Sequence, residues 1–495
     1  MLTAVAVAAA CSPAAPASPA SPASSAVVLT VDSTHPGRVL PADYLGLSFE
    51  ASVLDSPLLD PAGSNLPQLL RDLGEGRIRF GGNSLDRVTA WSPDAGRPLP
   101  PWAHARVTPE DLGRLGRLAA LTGWRVDLGL TLGHFDAAAA ASPAAAARRL
   151  IGSGLGTVDI GNEPDLFSAG YTHAGYSYAD YRSQVDRYRA AISAAAPGTE
   201  LAGPDTAGSG WLAAFGRDEH SGLAFLSQHF YPLTRCGGNR PTIAHLTSSA
   251  TARREQHAAG VAVSAARGQG LPLRLDETNS ASCGGQDGVS NTLASALWMV
   301  GYLLTAAQQG VNGVNVHGGL AACRGYTPVC LPGARGPVAG TEPDVDPIAD
   351  LSLGAGRVGP SGKARLTAQP DFYALLLVRQ VEGGRWVPVT PDRTGPLESF
   401  ALRMPDGSIR LVLDNPDPHR AMTARVRVDE HVANRAVLLL TGPSLGATSQ
   451  VTFGGKEVTD AGSWQPRTVE RASIADPVVQ IDVPAASAAL VTLSP

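Results

Sequence analysis

From Tyr44 onward, short apolar runs alternate with longer amphipathic stretches, and the alternation repeats eight times before the pattern changes. The runs are Tyr44–Phe49, Arg77–Phe80, Arg125–Leu130, Thr157–Ile160, Glu200–Ala202, Leu226–Tyr231, Leu273–Glu277 and Val311–Val316. Each is too short for a helix and reads as a strand. Between them lie helix candidates over Pro109–Thr122, Ala144–Ile151, Tyr178–Ala195, Thr251–Arg267 and Asn291–Gln309. Strand and helix in strict alternation predict an α/β fold, a (β/α)8 barrel. Beyond roughly Lys363 the period drops to two, over Phe400–Met404, Ser408–Leu413, Thr423–Val428, Ala436–Leu440, Val451–Phe453 and Ala488–Leu493. Turn formers such as Pro405-Asp-Gly407 separate these segments, which predicts an antiparallel β-sandwich. The strand at Ala26–Val31 has no place in an eight-stranded barrel and is assigned to the sandwich. The expected organisation is a leader and linker over 1–25, an N-terminal strand within 26–43, a catalytic barrel over 44–362 and a sandwich over 363–495.

In a parallel barrel, chemistry gathers where strands end and loops begin. Glu163 follows the fourth strand within Gly161-Asn-Glu-Pro164, and Glu277 closes the seventh within Leu273-Arg-Leu-Asp-Glu277. Two carboxyls at strand exits are what cleavage of a glycosidic bond requires: one protonates the leaving oxygen while the other attacks the anomeric carbon or activates water. A retaining mechanism expects the two groups about 5 to 5.5 Å apart. Asp276 competes with Glu277, but successive strand residues face opposite ways, so only one of them is expected at the barrel mouth. A capping or loop carboxylate is the plain alternative for Glu163, and Pro164 suits the start of a helix.

The chain resembles glycoside hydrolase family 79, the bacterial β-glucuronidases and heparanase, within the clan A retaining glycosidases. The resemblance is carried by Arg79-Phe-Gly-Gly-Asn-Ser84, Ile160-Gly-Asn-Glu-Pro-Asp165, His229-Phe-Tyr-Pro232, Leu275-Asp-Glu-Thr-Asn279 and His317-Gly-Gly319, in that order. It implies Glu163 as acid/base, Glu277 as nucleophile and Asn162 as the partner of the sugar 2-hydroxyl. Tyr231 would hold the nucleophile ionised and oriented, or else be a core tyrosine. His229 shares its parity and is equally readable as structural. Arg79 would supply a cation that lowers the nucleophile's pKa, or else make a rim salt bridge. Gly325 and Tyr326, beside Arg324, fall where the family binds the glucuronate carboxylate, and Glu50 and Ser84 are candidates for sugar hydroxyls. The segment Ala281-Ser-Cys-Gly-Gly285 lacks the aromatic residue expected near that carboxylate.

Composition narrows the partners. The chain has 495 residues, 44% of them hydrophobic, a formal net charge of -5 and no dense basic block, which argues against nucleic acid and against long sulfated polyanions. The apolar stretch Leu293–Ala307 carries Ser295, Trp298 and Tyr302 and reads as a packed helix, so no transmembrane helix is expected. Leu2–Ala10 followed by Cys11 and an Ala/Pro/Ser tract resembles an export signal and linker. Ala8-Ala-Ala-Cys11 is similar to a lipobox, although the positive n-region is missing, so secretion and lipid anchoring at Cys11 both stay open. Four further cysteines suit an oxidising compartment. Cys323 and Cys330 bracket a short loop, a pairing that leaves Cys236 with Cys283; three connectivities, or four free thiols, remain open. His134, His173, His229 and His317 are too scattered to argue for a metal, and no cofactor is expected. The expected activity is a retaining exo-β-glucuronidase acting on carbohydrate that ends in glucuronic acid. A neutral-sugar relative of the clan, or a surface glycan-binding lipoprotein without catalysis, are the rivals.

Overall fold

The computed structural model describes residues 25–169, 174–320, 322–334, 363–467, 470–473 and 478–494. The expectations placed on residues 1–24, Cys11 among them, and on His173 lie outside the described residues.

The strands Leu45–Glu50, Arg77–Gly81, Arg125–Leu130, Leu155–Ile160, Leu201–Thr206, Leu223–Phe230, Leu273–Thr278 and Gly313–Gly318 form a closed parallel barrel. All eight coincide with the runs read from the sequence, shifted by a few residues at some ends. The barrel interior departs from the usual aliphatic layers. In Arg77-Ile-Arg-Phe80, Ile78 and Phe80 join the hydrophobic core outside the barrel, while Arg77 and Arg79 pair inside it with Asp127 at 2.7 Å and Asp205 at 2.9 Å. Arg274, on the seventh strand, donates to Asn315 Oδ1 at 2.9 Å in the same interior. Period two is therefore present in these strands with its polarity reversed: charge within, apolar surface towards the helices.

The helices begin and end on local signals. Pro109–Thr122 starts at a capping box made by Thr108 and Asp111 and stops at Gly123, whose φ of +79° is the left-handed geometry that ends a helix. Ser177 and Asp180 make the same box for Tyr178–Ala195. The helix expected over Ala144–Ile151 instead spans Ala137–Leu150. Proline lacks an N–H, which suggested a start behind Pro143. The chain is capped earlier, by Asp136 accepting from Ala139 N at 3.0 Å, and Pro143 is carried inside the helix. A further helix, Pro370–Arg379, lies where only period-two segments were expected. It packs on Leu293–Gln309, which is why that helix is apolar nearly all round without spanning a membrane. Among the described residues no helix is long and apolar enough to cross one.

Two sheets form the sandwich. The larger runs in the order Arg385–Val387, Glu398–Arg403, Ile409–Asn415, Ser487–Ser494, Asn434–Thr441, Thr452–Phe453, with Glu470–Ser473 also pairing Asn434–Thr441. The smaller is Val389–Pro391, Ser25–Val31, Met422–Val428, Val478–Val483, so the N-terminal strand does join the sandwich. One pair in it is parallel rather than antiparallel, Ser25–Val31 with Met422–Val428, because the first strand arrives from a remote part of the chain. Ala401, Leu411, Leu413, Ala489 and Val491 of the large sheet meet Val27, Leu29, Val426 and Ile481 of the small one. The alternate residues Phe400, Leu402, Val412 and Leu490 belong to the barrel's own core. The large sheet is thus apolar on both faces.

Three acids meet at the seam between barrel helices and this sheet. Glu255, Glu398 and Asp414 line a cavity of about 60 Å³ with Trp298 and Gly301. Any side chain at Gly301 would run into Glu398, whose Oε2 lies 2.4 Å from the position of a Cβ. Burial pushes the Glu255 carboxyl up from its usual 4.5 to about 7, against the hydrogen bond it accepts from Trp298 Nε1 at 2.7 Å. Burial and the neighbouring Glu398 likewise raise Asp414. A carboxyl whose folded pKa exceeds its unfolded value contributes fully below the latter and loses that contribution as pH rises through the former. The cost of Glu255 to the fold therefore builds up as pH rises from about 4.5 and reaches on the order of a few kcal/mol above about 7. Glu255→Gln keeps the acceptor for Trp298 and is expected to raise the melting temperature at about pH 8 but not at about pH 5. Scanning calorimetry at the two pH values checks this.

Candidate active site

Glu277 stands at the end of the seventh strand, 7% exposed, with both carboxylate oxygens engaged. Tyr231 OH donates to Oε1 at 2.9 Å and Arg79 Nη1 to Oε2 at 2.9 Å. His317 Nδ1 lies 3.7 Å and His229 Nδ1 3.9 Å from Oε2. Burial alone would push this carboxyl up. His317, His229, Arg79 and the Tyr231 hydrogen bond outweigh it and hold Glu277 well below the usual carboxylate range. A carboxylate ionised at every ordinary pH and aimed by two donors has the form of a nucleophile.

Glu163 lies just beyond the fourth strand with φ +50°, a left-handed conformation that a non-glycine residue holds at a cost of about 1–3 kcal/mol. Its backbone N–H donates to Asp205 O at 2.8 Å, which fixes the turn. Its carboxylate meets His229 Nδ1 at 3.0 Å. One oxygen of Glu163, one of Glu277 and a ring nitrogen of His229 lie within 4.8 Å of one another. The two acids expected from the sequence therefore face one gap. Asn162, 4% exposed, is held at its N–H by Asp86 Oδ2 at 2.7 Å and at Oδ1 by Arg79 Nη2 at 2.9 Å.

Asp276 corrects the parity argument. Period two would send its side chain away from that of Glu277, yet both reach Arg79: Asp276 Oδ2 is 3.2 Å from Nε while Glu277 Oε2 is 2.9 Å from Nη1. The pairing of this strand with both neighbours slips in register between Arg274 and Thr278, and such an irregularity breaks the alternation. The two acids are nonetheless distinct. Burial, then Asp205, raise Asp276 well above the usual range whereas Glu277 is held below it, and Asp276 sits 3% exposed beneath the site. Arg79 is likewise no rim residue: it is 1% exposed and keeps its charge because Asp205, Asp276 and Glu277 outweigh the burial that opposes it.

Glu50 and Ser84 lie at the ends of the first two strands and bind each other: Ser84 N donates to Glu50 Oε2 at 2.8 Å, and Ser84 Oγ accepts from Ser52 N at 3.1 Å. Burial raises Glu50, but His317, whose Nε2 lies 3.7 Å from Oε1, brings it below its usual value. His317 in turn is raised, burial being outweighed by Glu277 and Glu50. Tyr326 stacks on Tyr231 with ring centroids 5.8 Å apart and meets His317 edge-on at 5.7 Å. The glycines at 284 and 285 explain the missing aromatic. Tyr326 N donates to Gly284 O at 3.3 Å, Gly284 N donates to Tyr326 OH at 3.3 Å, and a Cβ on Gly285 would lie 2.6 Å from Tyr326 N. A larger residue there would displace Tyr326. Gly325, at φ +61°, lets the loop close over Gly284, 1.9 Å from where its own Cβ would be. Disulfides join Cys236 to Cys283 and Cys323 to Cys330. The first ties the loop after Tyr231 to the loop after Glu277, and the second closes the loop that bears Tyr326.

Among the described residues, two His/acid groups have ligand atoms close enough to suggest a cation: Glu163, His229 and Glu277, and Asp205, His229 and Asp276. Arg79 fills that electrostatic role in both, through Glu277 in the first and through Asp205 and Asp276 in the second. An ion placed among these acids would lie against a fixed guanidinium, so the donor set suits Arg79 rather than a metal.

Sequence reading missed Asp205 and Asp86. Asp205 lies past the point where the fifth strand was ended, behind Gly203-Pro204, and an acid at the exit of a strand was the available signal. Asp86 accepts from Leu132 N, Gly133 N and Asn162 N and so moors the loops after the third and fourth strands, a role without a sequence signal.

No family model and no curated protein matches the chain. Solved structures do. A 4-O-alpha-L-rhamnosyl-beta-D-glucuronidase from Fusarium oxysporum 12S, crystallised with Rha-GlcA, is similar with a TM-score of 0.75 at 17% identity, over 94% of this chain and 100% of that one. A GH51 arabinofuranosidase from Xanthomonas axonopodis pv. citri gives 0.64 at 16% identity, over 94% and 99%. A GH39 enzyme from the same organism gives 0.57 at 17%, over 96% and 98%. The likeness at these identities is one of fold. This chain has the barrel-plus-sheet architecture of these enzymes.

Proposed function

We propose that the chain is a retaining glycoside hydrolase that removes terminal β-glucuronic acid, with Glu277 as nucleophile and Glu163 as acid/base. The observation that carries this is the gap between the two carboxylates, which approach within 4.8 Å at their nearer oxygens, as the two acids of a double displacement require. Glu277 attacks the anomeric carbon while Glu163 gives its proton to the leaving oxygen. Water, deprotonated by Glu163, then releases the sugar from the glycosyl-enzyme. Arg79 and Tyr231 keep the attacking oxygens ionised and aimed, and Asn162, locked by Arg79 and Asp86, is placed to hold the 2-hydroxyl. No step calls for a cofactor.

The choice of glucuronate is supported by the Tyr326 loop at the mouth beside Tyr231, and by the better overlay with the rhamnosyl-glucuronidase than with the arabinofuranosidase. Its disulfides suit an extracytoplasmic enzyme, secreted or anchored at Cys11. The barrel is proposed to close by residue 362 and the sandwich to follow it. Hydrolysis of para-nitrophenyl β-glucuronide, β-xyloside, β-glucoside and α-L-arabinofuranoside tests the substrate. The glucuronide is expected to exceed the others in kcat/KM by roughly 10²-fold or more, because a site that hydrogen-bonds the substrate's carboxylate is left unpaired by a neutral sugar. Activity confined to neutral sugars would end the glucuronidase reading and leave the glycosidase one.

A further inference from the structure

Asp205 ends the fifth barrel strand and touches both halves of the site. Its backbone carbonyl accepts the Glu163 N–H at 2.8 Å. Its Oδ2 accepts from Arg79, at 2.9 Å from Nη2 and 3.3 Å from Nε. The same guanidinium donates to Glu277 Oε2 and to Asn162 Oδ1, each at 2.9 Å. Asp205 is anchored in turn from the sixth strand, since its N–H donates to Ser227 Oγ at 3.1 Å and that hydroxyl donates back to Oδ1. At φ +53° it is a second non-glycine residue in the left-handed region, hydrogen-bonded to the first, Glu163 at φ +50°. Such a conformation persists only where the surroundings enforce it. Asp165 adds another stitch between the same two loops, accepting from Ala207 N and Gly208 N at 3.0 Å each.

We infer that Asp205 is the positioning residue that holds the acid/base and the nucleophile in one geometry, its carbonyl setting the Glu163 turn and its carboxylate setting the Arg79 fork that aims Glu277 and Asn162. This rests on the roles proposed above for Glu163 and Glu277. Asp276 is placed differently: its Oδ2 lies 3.2 Å from Arg79 Nε but lacks the hydrogen-bond geometry that Asp205 Oδ2 has to Nη2 and Nε. A bulk structural role would use neither contact selectively. A positioning role predicts that removing the carboxylate disturbs chemistry more than binding or folding.

The test is Asp205→Asn in the full-length enzyme, with Asp205→Glu and Ser227→Ala beside it. Active sites are counted with a mechanism-based fluoroglycoside, so that misfolded protein does not enter the rate. Asp205→Asn is expected to lower kcat per titrated site by roughly 10²-fold with KM changed by less than about threefold. Its pH–rate profile should move towards acid, because a negative charge has left the site. Asp205→Glu, which restores the charge, should recover part of the rate, and Ser227→Ala, which only loosens Asp205, should show a smaller loss in the same direction. Wild-type kcat per site and an unmoved pH profile in Asp205→Asn would overturn the inference while an active parent enzyme keeps the glycosidase reading. A parent inactive on every aryl glycoside would remove that reading and this inference with it.

Discussion

Glu277→Gln is expected to lower kcat on aryl glucuronides on the order of 10⁴-fold or more, with substrate binding retained. The amide preserves the volume and an acceptor for Tyr231 or Arg79, but it has no anionic oxygen to attack the anomeric carbon. Because Arg79, His317, His229 and Tyr231 hold Glu277 well below its usual value of 4.5, the native enzyme should show no loss of nucleophile down to that pH. In Glu277→Ala, where the shortened side chain opens that space, added azide supplies the missing attack from the same face and should give a glycosyl azide of inverted configuration, read by NMR. Turnover at the native rate would remove Glu277 from the mechanism, and azide product of retained configuration would assign it the other role.

For Glu163→Ala the expected loss depends on the leaving group. A substrate with a poor, basic leaving group needs the proton that Glu163 delivers and should slow by roughly 10² to 10⁴-fold. A dinitrophenyl glycoside departs without protonation, so its glycosyl-enzyme still forms and accumulates, and azide should release it as the retained product. A rate loss equal for good and poor leaving groups would show that residue 163 acts on binding or folding instead. The contrast between the two variants is the sharper measurement, since a shared structural defect would make them behave alike.

The fold was largely legible because barrel strands are short apolar runs bounded by turns, and all eight could be placed from that pattern. The helix Pro370–Arg379 was not, since it follows a region rich in turn formers and its apolar character serves packing on another helix instead of a solvent-facing stripe. Glu163 and Glu277 could be named because strand exits are where a barrel puts its chemistry. What supports them was hidden for physical reasons. The charged barrel interior reads in sequence like a solvated face, so Arg79 was indistinguishable from a rim residue. The register slip beside Glu277 breaks the alternation on which the separation of Asp276 depended. The contacts of Asp205 and Asp86 join residues up to 126 positions apart, beyond any local pattern.

The two-sided burial of the large sheet bears on how this enzyme is assembled. With Phe400, Leu402 and Val412 turned to the barrel and Ala401, Leu411 and Leu413 to the second sheet, the C-terminal part of the chain works as an inner wall rather than an attachment. The barrel that bears the candidate site and the sandwich thus share one interior. A shortened barrel would leave a greasy flank bare to water and would not be expected to fold stably on its own.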